Sequence, residues 1–326
     1  MFRPLNITVA SITLAAAMAT AGLAQDRDGW PGSFSVGTAS QGGTYFVYGS
    51  GWANLVSESL GIPGGGEVTG GPVQNASLVQ TGDIEMAMVT LGPAFDALNG
   101  NSTLAPGIKH DKLRAIFPMY QTAFHQVTLA GSGIDSIESI PDGTRIGVGP
   151  AGGTPGTYWP RFFETLGKDV TVSNGGASDL AGQLQDGLID VFAFAAGLPI
   201  PAFSQVDASV DVTFIGFTDE EAQMLVENHP VSLFTISGDL YPSMDGDQQS
   251  VSMWNFAVAS ADLPDSFVYE VVATVMENNP RMLEIHSAAA QTLPENFDKN
   301  TFLPWHPGAV KWFEENGYDI PDDLEG

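Results

Sequence analysis

The sequence predicts an α/β protein of two lobes with a ligand cleft between them, joined by two crossings of the chain. Three observations carry this. About 300 residues remain after an N-terminal leader, more than one core usually organises. A unit of strand, glycine loop and helix recurs in both halves, and such alternation builds parallel sheets whose loops gather at the strands' carboxyl ends. Two long apolar stretches, Leu113 to Gly133 and Ser250 to Ser260, separate the halves. The first is too long for one ordinary strand and is therefore assigned as a passage between lobes.

The leader sets the compartment. Met1-Phe2-Arg3 precedes an apolar run that ends in Gly22-Leu23-Ala24, and Gln25-Asp26-Arg27-Asp28 is abruptly polar. A basic start, an apolar centre and a small-x-small end define a cleaved secretory signal over residues 1–24, with the mature chain beginning near Gln25. A membrane anchor would need about 20 apolar residues, and Asn6, Thr8, Ser11, Thr13 and Thr20 dilute this run. With no cysteine, neither a disulfide nor a lipidated N-terminal Cys is available. A soluble periplasmic protein is the expected product.

Charge excludes further classes. Without Arg3 the chain carries 10 basic and 38 acidic residues, a net charge near −28, which argues against nucleic acid and anionic lipid as partners. No run exceeds three consecutive acidic residues, so the charge is a solvated surface. Five histidines show no metal-ligand spacing, the Asp245–Asp247 DGD is too short for a calcium loop, and there is no G-x-S-x-G elbow. The expectation is no catalytic residue, no metal and no cofactor.

Strand Phe34–Thr38 leads through Ser40, Gly42, Gly43, Thr44 and Tyr45 into a helical segment, Phe46–Leu60. Glycines let backbone approach a ligand, and a helix start leaves unpartnered N–H groups that attract an anion. The loop lacks the lysine of GxxxxGK[ST] and the spacing of GxGxxG, so it is not a nucleotide loop. Glycines 64–66 and 70–71 punctuate a second junction, Val68–Thr69 into Val73–Val79, followed by a buried strand Met86–Thr90 stopped at Gly92-Pro93. After the first crossing, strand Ile146–Val148 opens on Gly152, Gly153, Thr154, Gly156 and Thr157 with a helix carrying Tyr158 and Phe162–Leu166, and Asp190–Ala195 is another buried strand. The helical segment from Asp265 is expected to pack back on the first lobe. The predicted division is 25–123 for the first part of lobe 1, 124–250 for lobe 2, and 251–326 for the return to lobe 1 with a C-terminal helical segment.

Taken in order, VGTASQGGTYFVYG, GEVTGGPVQNASLVQTGDIEMAMV, SGIDSIESIPDGTRIGVGPAGGTPGT, LQDGLIDVFAFAAGLPIPA and LPWHPGAVKWFEENGYDIP resemble the solute-binding proteins of TAXI-type TRAP transporters. The resemblance spans nearly the whole mature chain. It implies a type II-like periplasmic binding protein that hands a small organic acid to the TRAP membrane permease subunits, and a monomer. Position by position it implies ligand contacts from Ser40, Gly42, Gly43, Thr44 and Tyr45, and from Gly153, Thr154, Gly156, Thr157 and Tyr158. Where relatives show a polar FVQSD, this chain reads Met88-Val89-Thr90-Leu91-Gly92, which leaves Thr90 as the site hydroxyl; a usual serine is Pro72 and a usual threonine is Ala195. Fewer partners for an amino group favour a carboxylate without ammonium, such as a 2-oxo acid or dicarboxylate, over an acidic amino acid.

Each side chain also has a plainer role. Tyr45 and Tyr158 either line the cleft or pack between helix and sheet. Arg161, four residues beyond Thr157 and so on the same helical face, is either a forked carboxylate contact or a surface residue. Two other functions share the fold: a secreted transferase or hydrolase, and a ligand sensor for a receptor.

Overall fold

A computed structural model describes residues 27–326; the leader and its cleavage point lie outside the described residues. The two halves repeat one plan. In the first, β1 (Phe34–Gly37), α1 (Thr44–Leu60), β2 (Gly64–Glu67), α2 (Pro72–Thr81), β3 (Met86–Thr90) and α3 (Leu91–Leu98) alternate, and the strands lie parallel in the order β2-β1-β3. In the second, β5 (Thr144–Val148), α4 (Thr154–Thr165), β6 (Val170–Asn174), α5 (Ala177–Gln185), β7 (Val191–Ala196) and α6 (Pro201–Asp207) do the same in the order β6-β5-β7.

Two long strands pass through both lobes. The 17-residue β4 (Leu113–Leu129) pairs with β10 (Gln248–Ser260) through its first part and with β7 from Ala123 onward. The 13-residue β10 lies beside β3 at one end and β9 (Ser232–Ile236) at the other, while β8 (Val212–Ile215) pairs with the far end of β4. The stretch that looked too long for one strand is one strand. Its length follows from its two sets of partners. β4 and β10 lose register between Trp254 and Phe256, opposite Pro118, a residue with no N–H to give to a ladder.

Burial follows the same division. One core contains Trp52, Phe117, Phe256 and Trp305; on the other side of the crossing, Phe124, Trp159 and Phe162 pack on one face of the second sheet, and Phe192, Phe203 and Phe214 on the other. Helices α8 (Asp265–Met276) and α10 (Pro307–Glu315) return to the first core, where Phe267 and Phe313 are fully buried. Among the described residues no helix is long and apolar enough to cross a membrane.

Glycines 64–66 are a strand, where punctuation was expected. A side chain at Gly64 would begin 2.2 Å from the Phe34 ring, and one at Gly66 would begin 2.5 Å from Ser50 Oγ, so β1 and α1 press on β2 too closely for a Cβ. Likewise Gly92-Pro93 does not end a strand but lies inside the first turn of α3, where proline's missing N–H costs nothing.

His125, on β4, is enclosed by Phe203, Phe214 and Tyr241 at centroid distances of 5.6, 5.0 and 5.7 Å, with Nε2 3.0 Å from Gln248 Oε1. Burial lowers its pKa from 6.5 to about 4, against the opposing bond to Gln248. Between those values the unfolded chain holds a proton that the folded chain refuses, so stability falls as pH drops from 6.5 toward 4, by up to about 1.4 kcal/mol per unit. His125→Leu removes this dependence. In denaturant titrations at successively lower pH, the stability gap between wild type and variant should narrow; a constant gap would refute the assignment.

Candidate functional site

The site lies where the carboxyl ends of β1 and β5 face each other. Each strand ends in a glycine loop, and each loop starts a helix: Gly43 is the N-cap of α1 and Gly153 that of α4. Neither helix receives a side-chain cap. The first-turn amides of Thr44 and Tyr45, and of Thr154 and Gly156, therefore have no partner within their helices. Both starts border one cavity of about 30 Å³, closed below by Thr122 of the crossing strand and on the side by Phe194, Ala195 and Ala196 of β7. Among the described residues no charged side chain lines it.

Neighbouring helix starts are treated differently. The amide of Val73 in α2 donates to Gly152 O at 3.0 Å, Ser178 N of α5 to Gln41 O at 3.2 Å, and Ala202 N of α6 to Gly42 O at 3.0 Å. Ala177 N adds a bond to Ser40 Oγ at 3.3 Å. Each of these helices is capped by a loop of the opposite lobe. The glycines permit that approach: a Cβ on Gly42 would begin 2.5 Å from Ser178 Oγ, and one on Gly71 would begin 3.0 Å from Gly153 Cα. Two hydroxyl bonds tie the seam further, Thr44 Oγ1 donating to Gly197 O at 2.5 Å and Thr90 Oγ1 sharing a very short bond with Thr154 Oγ1.

Of the residues proposed from the sequence, Ser40, Gly43, Thr44, Tyr45, Gly153 and Thr154 line the cavity. Gly42 and Thr90 serve the seam instead, and Gly156 packs against Pro150 O, which a Cβ would approach to 2.2 Å. Thr157 returns its hydroxyl to Gly153 O at 2.9 Å. Tyr158 is buried among Phe124 and Phe162 with its hydroxyl against Gly92, and burial, with the charge of Asp96, pushes its pKa upward. Arg161 does not reach the cavity. It is exposed, with its guanidinium carbon 5.2 Å from the Tyr158 ring centroid, and it opposes the upward shift that burial imposes on Asp96. The i+4 face shared by Thr157 and Arg161 is the outer side of α4.

Tyr45 divides its functions. Its ring borders the cavity, but its hydroxyl donates to Asn255 Oδ1 at 2.6 Å, and burial raises its pKa well above the ordinary value despite bonding with Thr90. Sequence reading had not singled out Thr122, Pro150 or Phe194 as lining residues. A threonine interrupting the apolar crossing was the available signal for the first; nothing in the sequence marks the others. The two family departures, Pro72 and Ala195, do line the cavity and make its wall less polar.

Two lobes of this strand order, with helix starts meeting over paired crossing strands, have the fold of periplasmic binding proteins. The chain belongs to the NMT1-like family, whose model matches residues 36–317. Solved structures of similar fold include the periplasmic binding protein BugD, at 14% identity, TM-score 0.58, and coverage of 88% of this chain and 98% of that one. MatC from Rhodopseudomonas palustris with bound malate is similar at 15% identity, TM-score 0.57, and coverage of 87% and 95%. R. palustris Rpa4515 with adipate gives 15% identity, TM-score 0.55, and coverage of 80% and 88%.

Tyr45→Phe should lower the stability of the unliganded protein by about 0.5–1.5 kcal/mol, the net contribution of the buried bond it gives Asn255 Oδ1; unchanged denaturant midpoints would show that the hydroxyl is not committed there. Gly71, at φ 107° and ψ −161°, occupies a region open only to glycine. Gly71→Ala should cost about 1–3 kcal/mol and exceed Gly82→Ala, whose position is left-handed but meets nothing. Equal losses in thermal unfolding would remove the seam contact from the account.

Proposed function

We propose that this chain is the periplasmic solute-binding protein of a TRAP-type transporter of the TAXI class, capturing a small carboxylate and delivering it to the membrane permease as a monomer exported by a cleaved signal. The pair of uncapped helix starts carries the reading. While neighbouring helices find caps across the seam, α1 and α4 present free amides to one small cavity. A carboxylate is the group that satisfies both at once, since it accepts several N–H bonds and its charge meets the positive ends of two helix dipoles.

Magnitudes agree. Micromolar capture needs about 8 kcal/mol, and each hydrogen bond to a charged group contributes about 1.5–3 kcal/mol, so three or four donors suffice with some apolar contact. The chain's strong negative charge is screened within about 8 Å in physiological salt and does not outweigh donors touching the ligand. The wall of Pro72, Phe194 and Ala195 offers an ammonium group neither a carboxylate nor a side-chain hydrogen-bond acceptor, which favours 2-oxo acids and dicarboxylates. A cavity of about 30 Å³ holds roughly two water-sized spheres, so a larger acid enters only when the lobes part and the seam re-forms wider around it.

The test is a melting-temperature screen with pyruvate, 2-oxobutyrate, 2-oxoglutarate, succinate, malate and adipate. At least one acid should raise the melting temperature at millimolar concentration, its amide should not, and native mass spectrometry should show one ligand per chain, released unchanged. Stabilisation by none of the acids would reject the carboxylate reading, and conversion of the captured acid would reject a carrier role.

A further inference from the structure

The floor of the cavity contains a donor that neither the family loops nor the helix starts supply. We infer that Thr122 gives its hydroxyl proton to the bound acid, and that Asn255, on the other crossing strand, is the positioning residue that makes that proton available. The inference rests on the carboxylate reading above.

The amide of Asn255 is fully buried, and its orientation is fixed by its neighbours. Nδ2 lies 2.6 Å from Tyr120 O, a group that only accepts, so the NH₂ side must face β4. Its second N–H donates to Thr122 Oγ1 at 2.8 Å. On the other side, Oδ1 accepts from Tyr45 OH at 2.6 Å. Both amide protons and the carbonyl oxygen are therefore engaged before the proton of Thr122 is counted. That proton rests against Asn255 Oδ1 at 3.0 Å, the longest of these four contacts, as a second donor to an oxygen that Tyr45 already serves. A hydroxyl proton rotates freely about its C–O bond. When an acid enters, the Thr122 proton turns to it and no buried atom is orphaned, because Tyr45 stays on Oδ1 and Nδ2 stays on Oγ1.

Location gives this donor a role distinct from the helix starts. Thr122 lines the cavity from β4, close to where β4 and β10 lose register. Asn255 sits within that irregularity, between Trp254 and Phe256, and is also paired with Thr90 of β3. The acid is thus read by α1 from one lobe, α4 from the other, and the strands common to both. A ligand group without a lone pair at the floor leaves the Thr122 proton on Asn255 and forfeits this bond.

The experiment uses the full mature chain and the six acids named above, with calorimetry on wild type and variants. Thr122→Val removes the hydroxyl at constant volume and should weaken the best acid about tenfold or more, while Thr122→Ser should stay within about threefold of wild type. Thr122→Ala supplies a second hydroxyl-free variant if valine disturbs folding. Tyr48→Phe, which removes a buried 2.7 Å bond to Thr292 away from the cavity, controls for lost stability and should bind as wild type does. Asn255→Leu, of similar size and without charge, removes the N–H that holds Thr122 Oγ1 and should weaken binding no more than Thr122→Val does, with no further loss in the double variant. Equal affinity in wild type and Thr122→Val overturns the inference alone. Additive losses at 122 and 255 overturn the positioning role. Wild type that binds none of the acids overturns the carboxylate reading and this inference with it.

Discussion

Everything in this molecule hangs on the antiparallel pairing of β4 with β10. Because both strands are longer than either lobe needs, each is central to one lobe's part of a single ten-stranded sheet and then continues into the other lobe's part. Three parallel strands dock on each side, and their carboxyl ends are thereby turned toward a common gap. Helix starts follow strand ends, so the same pairing that joins the cores decides that α1 and α4 meet head to head. The register slip opposite Pro118 places one of the two irregular points of this ribbon beneath the cavity, where a buried asparagine replaces what the ladder omits.

Backbone groups do most of the work at the interface between lobes. Helices α2, α5 and α6 take caps from the loops of the opposite lobe, and those loops carry glycine at Gly42 and Gly152-Gly153, where the opposite lobe comes closest. Among the described residues charge is absent from the cavity wall, although the chain carries a great excess of it. Recognition by amides and hydroxyls depends on direction more than on net charge.

What the sequence disclosed follows from what periodicity and punctuation encode. The repeated strand-loop-helix unit, the strand Met86–Thr90 and the two long apolar stretches were legible because burial on both faces leaves continuous apolar runs. β2 was not, since three glycines signal a turn unless one knows that Phe34 and Ser50 occupy the space above them. The loops bearing Ser40 to Tyr45 and Gly153-Thr154 were found at the cavity, yet the finer roles of their neighbours were hidden. Thr90 and Thr154 share a bond between residues 64 apart in sequence, and the outward side of α4 at Arg161 depends on how that helix rolls against Phe124 and Phe217. Neither a hydroxyl's partner nor a helix's roll is recorded in local pattern.

The composition of the seam also has a thermodynamic meaning. Gly42, Gly70, Gly71, Gly152 and Gly153, with Pro72, Pro150 and Pro155 beside them, have no side-chain rotamers to lose when opposing loops come into contact. Lysine or glutamine at such a surface would surrender up to about 2 kcal/mol of conformational entropy each on being ordered. At these positions the two faces meet with no side-chain freedom to surrender, so their contact is nearly isentropic for the side chains.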